Sequence, residues 1–108
     1  MAEEIVFYGN SGAKYKYYLC SLDERFLEVP ANYVFIEKTE SGFIPIFIGQ
    51  TEHMNQSFSL HKKWPCIRSN GATHICTHQG NPSKEGRCEE EADMIKYYDP
   101  ICNKKLVT

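Results

Sequence analysis

The chain has 108 residues, 42% of them hydrophobic and 24% charged, and carries a formal net charge of −2. That length holds one compact domain with a real core but not two independent ones, and the composition excludes a disordered or fibrous protein. The slight acidity excludes the strongly basic footprint of a dedicated nucleic-acid binder, so any such contact must rest on a local patch.

In chain order, Ile5 to Tyr8 and Tyr15 to Cys20 are β-rich runs joined by Gly9-Asn10-Ser11-Gly12, which predicts a hairpin. The stretch Gly9 to Lys14 lacks the Walker spacing and is not a phosphate loop. Leu22 to Pro30 reads as a connector whose proline imposes an extended approach to the next element. Tyr33 to Ile36 predicts a strand, Glu40-Ser41-Gly42 a turn and Phe43 to Ile48 the partner strand, with Pro45 marking an edge position or a bulge.

After Gly49 the period changes. Thr51 as a cap, with Met54, Phe58 and His61 at i, i+4 and i+7, predicts a helix that Pro65 ends. Thr73 to His78 alternates and predicts a third strand. A last helix is expected from Lys84 or Arg87 to Tyr98, stopped by Pro100. Its inner stripe, Glu91, Met94, Ile95 and Tyr98, sets a carboxylate on an otherwise apolar face.

The five cysteines, at positions 20, 66, 76, 88 and 102, are odd in number and form no C-x-x-C pair, so free thiols are expected. His74, Cys76 and His78 alternate on one predicted strand, but their spacing matches no usual zinc module. No stretch approaches the roughly 20 apolar residues that span a bilayer, and the first residues are acidic. A cytoplasmic protein without membrane contact is the expectation.

Ala31-Asn32-Tyr33, Phe47-Ile48-Gly49-Gln50-Thr51, a histidine at position 61, and Glu91-x-x-Met94-Ile95-x-x-Tyr98-x-Pro100-x-x-Asn103 follow one another in a fixed order. From Ala31 to Asn103 the chain resembles the GIY-YIG nuclease family. Ala31-Asn32-Tyr33 stands for its first motif, Phe47-Ile48-Gly49 for its second, and the closing segment for its terminal glutamate, hydrophobic pair, proline and asparagine.

The resemblance implies an α+β fold, a small three-stranded antiparallel core flanked by helices over residues 31–108. Residues 1–30 would then be an added hairpin and connector. It also implies phosphodiester hydrolysis, in which a metal polarises the phosphate, a base activates water and a cation takes up developing charge. Tyr33 stands at the position of base or water-positioner, and Glu91 at that of the metal ligand, a lone carboxylate suited to Mg²⁺.

Two family side chains are replaced. Phe47 keeps the ring of the second tyrosine without its hydroxyl, and Ser57 occupies the position of the arginine. Losing that cation removes a contribution of about 10³ to 10⁵ in rate. His61 occupies a family histidine position, while Arg87, four residues before Glu91, offers either a substitute cation for phosphate or a partner that holds Glu91.

Lys62, Lys63 and Arg68 form the basic cluster for nucleic-acid contact, most readily with DNA. The leading expectation is an impaired nuclease-like domain that holds nucleic acid or another phosphate-bearing ligand. Its rivals are a divergent Mg²⁺-dependent endonuclease with a relocated cation and a protein-interaction module on the same fold.

Overall fold

A computed structural model describes residues 3–55, 61–79 and 81–104. The fold is α+β, a five-stranded antiparallel sheet flanked by two helices. The strands are β1 (Glu3–Tyr8), β2 (Lys14–Ser21), β3 (Ala31–Thr39), β4 (Gly42–Thr51) and β5 (His74–His78). The helices are α1 (Trp64–Ser69) and α2 (Lys84–Tyr98), and a 3₁₀ turn follows at Ile101–Asn103.

Sheet order is β1-β2-β5-β3-β4, so β5 joins the amino-terminal hairpin to the β3–β4 hairpin. Strand β3, interior to the sheet between β5 and β4, is buried from Ala31 through Ile36 because both of its faces are covered. Tyr33 and Phe35 pack with Ile67 of α1 and Cys102 of the 3₁₀ turn. Val34 and Ile36 pack with Phe7, Tyr17 and Met94 of α2. Alternation along one strand thus sends successive side chains into two cores.

Pro45 fulfils both of its expected roles. It lies on the edge strand β4, and the β3–β4 register slips beside it, with Phe35 opposite Phe47 and Ile36 opposite Pro45. The first hairpin turn is held from α2. The Asp93 carboxylate accepts from the Ser11 N–H at 2.9 Å, the Ser11 hydroxyl at 2.7 Å and the Tyr15 hydroxyl at 2.8 Å. Gly9 lets this carboxylate close on the turn, since a Cβ there would sit 1.9 Å from Asp93 Oδ2 and displace it.

Helix α2 begins on the Ser83 side chain, which accepts from the Gly86 N–H, and ends at Asp99 in the left-handed conformation ahead of Pro100. The face expected to be buried is found: Met94 is fully buried, with Ile95 and Tyr98 against the same core.

Two expectations are corrected. Among the described residues there is no helix from Thr51 to Pro65: Thr51 closes β4, and residues 52–55 and 61–63 form bends, turns and irregular chain. Residues 56–60, including Ser57 and Phe58, lie outside the described residues. Pro65 belongs instead to the first turn of α1, where its missing N–H would have had no helical partner.

The second correction concerns the thiols. Cys66 of α1 and Cys102 of the 3₁₀ turn form a disulfide across 36 residues of chain, while Cys20, Cys76 and Cys88 are free. In the chain-entropy model a loop of that length stabilises the fold by about 4 kcal/mol. No helix among the described residues is long and apolar enough to cross a membrane.

Candidate functional site

An open cleft of about 510 Å³ lies at the β4 edge of the sheet. Tyr33 from β3, with Phe47, Gly49 and Gln50 from β4, forms one wall. His61, Lys62 and Lys63, leading into α1, form a second, and Glu91 of α2 completes it. Residues far apart in sequence therefore converge because the β3–β4 hairpin, the approach to α1 and the face of α2 meet at one edge.

Gly49 makes the convergence possible. A Cβ at this position would lie 2.5 Å from Tyr33 Cζ, 2.6 Å from its hydroxyl oxygen and 2.9 Å from Phe47 Cε2. The absence of a side chain lets the Tyr33 ring lie across the β4 backbone. Phe47 flanks that ring, with centroids 6.1 Å apart, and meets the His61 ring edge-on at 5.0 Å.

The Tyr33 hydroxyl oxygen lies 2.6 Å from His61 Nε2, and His61 Nδ1 accepts the Lys63 N–H at 3.0 Å. A neutral imidazole has one donor and one acceptor nitrogen, so acceptance at Nδ1 puts the proton on Nε2. His61 then donates to Tyr33, which leaves the phenolic O–H free to donate into the cleft. Burial, reinforced by the Lys62 and Lys63 charges, lowers the His61 pKa and favours this neutral form.

Burial pushes the Tyr33 phenol well above its ordinary pKa, and the Glu91 carboxylate adds to the shift. Tyr33 is thereby a stronger candidate for hydrogen-bond donor than for base. Glu91 is itself raised by burial, an effect offset in part by the Gln50 N–H directed at it. Among the described residues no lysine or arginine pairs with Glu91.

This half-buried carboxylate without a counter-charge fits a hard cation. Among the described residues no three His, Cys, Asp or Glu side chains gather as a metal cage. Glu91 is the one carboxylate among the described residues lining the cleft, and so the side-chain oxygen ligand that a hard cation bound there would use.

Arg87 departs from both of its sequence-based roles. It is only 2% exposed and neither lines the cleft nor reaches Glu91. Its guanidinium donates to Gln50 Oε1 at 3.2 Å and to the carbonyls of Asn81 and Pro82 at 3.2 and 2.9 Å, with Glu52 3.8 Å away. The rigid fork is used to bind the start of α2 to the end of β4. Arg68 is exposed in the last turn of α1 and also stands apart from the cleft lining.

Two residues that the sequence placed only within motifs, Asn103 and Asn32, turn out to support the site. Asn103 accepts from the Ile48 N–H and donates to the Ile48 carbonyl, both at 2.8 Å, closing the outer edge of β4 one residue before Gly49. Asn32, fully buried in β3, donates to the Arg87 carbonyl at 3.0 Å. An amide inside an apolar strand was the available signal for the second, since a buried polar group needs a partner.

The two histidines and the cysteine of β5 are engaged separately. Cys76 is buried in the α2-side core, His74 contacts Thr73, and His78 Nε2 lies 2.5 Å from Glu90, which also accepts from Tyr17 at 2.6 Å.

Comparison of the chain with protein-family models, curated proteins and solved structures returns no match.

Proposed function

We propose that this chain is a GIY-YIG nuclease-like domain whose cleft binds a nucleic-acid phosphate, with DNA the favoured ligand and phosphodiester hydrolysis strongly impaired. The observation that carries the reading is the convergence of Tyr33, His61, Lys62, Lys63 and Glu91 on one cleft around Gly49. In this reading the Tyr33 O–H, oriented by His61, donates to a phosphate oxygen. Lys62 and Lys63 supply positive charge beside it.

Mg²⁺ held at Glu91 would polarise a phosphate oxygen when bound. The residues of the chain explain the impairment. Phe47 offers no hydroxyl, Ser57 brings no charge, Arg87 is committed to the fold, and a phenol of raised pKa is a poor base. Lys62 and Lys63 on the cleft wall favour one second reading, residual Mg²⁺-dependent cleavage with these lysines as relocated cations.

A cytoplasmic setting belongs to the same proposal and rests on the three free thiols; the single disulfide fits it only as a redox-responsive bond.

The test is incubation with Mg²⁺ or Mn²⁺ and single- and double-stranded DNA and RNA at low salt, beside Glu91→Gln, followed by native gels. The proposal expects a DNA shift without appreciable cleavage. Cleavage by the wild type alone would establish the second reading, and no shift with any nucleic acid would refute both.

A further inference from the structure

We propose that the Cys66–Cys102 disulfide is a redox latch that fixes the two sides of the cleft against each other; its effect on nucleic acid rests on the function proposed above. The bond joins α1 to the 3₁₀ turn, and each partner lies a short step from a cleft wall. Lys63, at the start of α1, lines the cleft three residues before Cys66. Asn103, next to Cys102, clamps both backbone groups of Ile48, the neighbour of Gly49.

The elements joined in this way have little hold of their own. Helix α1 has six residues, no side-chain cap and no acidic residue in its first turn. A helix that short does not persist on backbone hydrogen bonds alone. Ile67 is its fully buried anchor and Trp64 packs partly buried beside it, so opening the disulfide leaves these two apolar contacts and the His61 hydrogen bonds to place Lys62 and Lys63.

The sulfurs are arranged for exchange with a dithiol reductant. Cys102 is 1% exposed and Cys66 is half-buried, so attack falls on Cys66 Sγ and Cys102 leaves as thiolate. Asn70 Nδ2 lies 3.6 Å from the Cys102 sulfur and 3.5 Å from that of Cys66, an N–H donor for the departing charge. The second thiol of the reductant then resolves the mixed disulfide. The chain gains two thiols and the reductant is oxidised to its own disulfide.

Trp64, the one tryptophan of the chain, opens α1 and packs 5.9 Å from the Phe35 ring, so its fluorescence reports the latch directly. The experiment compares the oxidised 108-residue chain, the same protein reduced with dithiothreitol, and Cys66→Ser without reductant. It reads thiols in the denatured protein, Trp64 emission, far-ultraviolet circular dichroism and affinity for a fluorescein-labelled single-stranded DNA.

Reduction should raise the thiol count from three to five and shift Trp64 emission to the red while the sheet signal persists. DNA binding should weaken about tenfold, recover on reoxidation, and be equally weak in Cys66→Ser. Unchanged Trp64 emission at five thiols would overturn the latch, as would loss of the sheet signal, which would make the bond a staple for the whole fold. A reversible Trp64 shift with no DNA binding in either state would support the latch and refute the nucleic-acid reading.

Discussion

The hydrogen bond between Tyr33 and His61 has its direction set from the far side of the imidazole, where the Lys63 N–H occupies Nδ1. A histidine on the approach to a helix thereby decides what a tyrosine in an interior strand can do. Nitrogen-15 spectroscopy of the imidazole should find the Nε2–H tautomer at neutral pH. Tyr33→Phe should cost about 1 kcal/mol in denaturant unfolding by leaving that N–H without its acceptor.

Two titrations at the cleft oppose each other. The folded-state pKa of His61 lies below its ordinary 6.5, so its contribution is present above pH 6.5 and is lost as pH falls through the lowered value. That of Glu91 lies above its ordinary 4.5, so its contribution is present below pH 4.5 and is lost as pH rises through the raised value. Urea midpoints followed from pH 4 to pH 8 should show Glu91→Gln gaining on wild type as pH rises, and His61→Gln removing the loss on acidification below 6.5.

Gly49→Ala tests the close approach that builds the cleft. The added methyl must displace the Tyr33 ring, because both Cζ and the hydroxyl lie under 3 Å from the new carbon. A destabilisation of about 1–3 kcal/mol is expected, with loss of the Tyr33–His61 hydrogen bond in the imidazole spectrum. Unchanged stability and an unchanged spectrum would show that the ring does not lie across β4.

Arg87 should behave as a structural residue. Arg87→Ala strands the acceptors on Gln50, Asn81 and Pro82 and should cost about 3 kcal/mol or more, a fall of at least about 10 °C in Tm. Arg87→Lys should also destabilise, because an ammonium cannot reproduce the fork. At temperatures where either variant stays folded, DNA affinity should match wild type.

The strands were legible because β-branched and aromatic runs such as Tyr33 to Ile36 and Phe43 to Ile48 lie between turn residues, and Pro45 announced both its edge and its bulge. Helix α2 was legible from its stripe and from Pro100, while its Ser83 cap emerged only in the structure. Helix α1 was misplaced because a proline that ends one helix also starts another, and local periodicity cannot choose between them. The Cys66–Cys102 pair and the burial of Arg87 depend on which distant segments meet, information that spacing along the chain does not hold.

The most direct test of the cleft as a phosphate site is fluorescence anisotropy with a labelled DNA oligonucleotide at low salt, using oxidised wild type, Tyr33→Phe and the double variant Lys62→Ala/Lys63→Ala. The account predicts binding by wild type that weakens about tenfold in Tyr33→Phe. In the lysine variant it predicts weaker binding with a salt slope shallower by about 1 to 2, as two phosphate contacts are lost. Equal affinity and equal salt dependence in all three proteins, each shown to be folded, would contradict it.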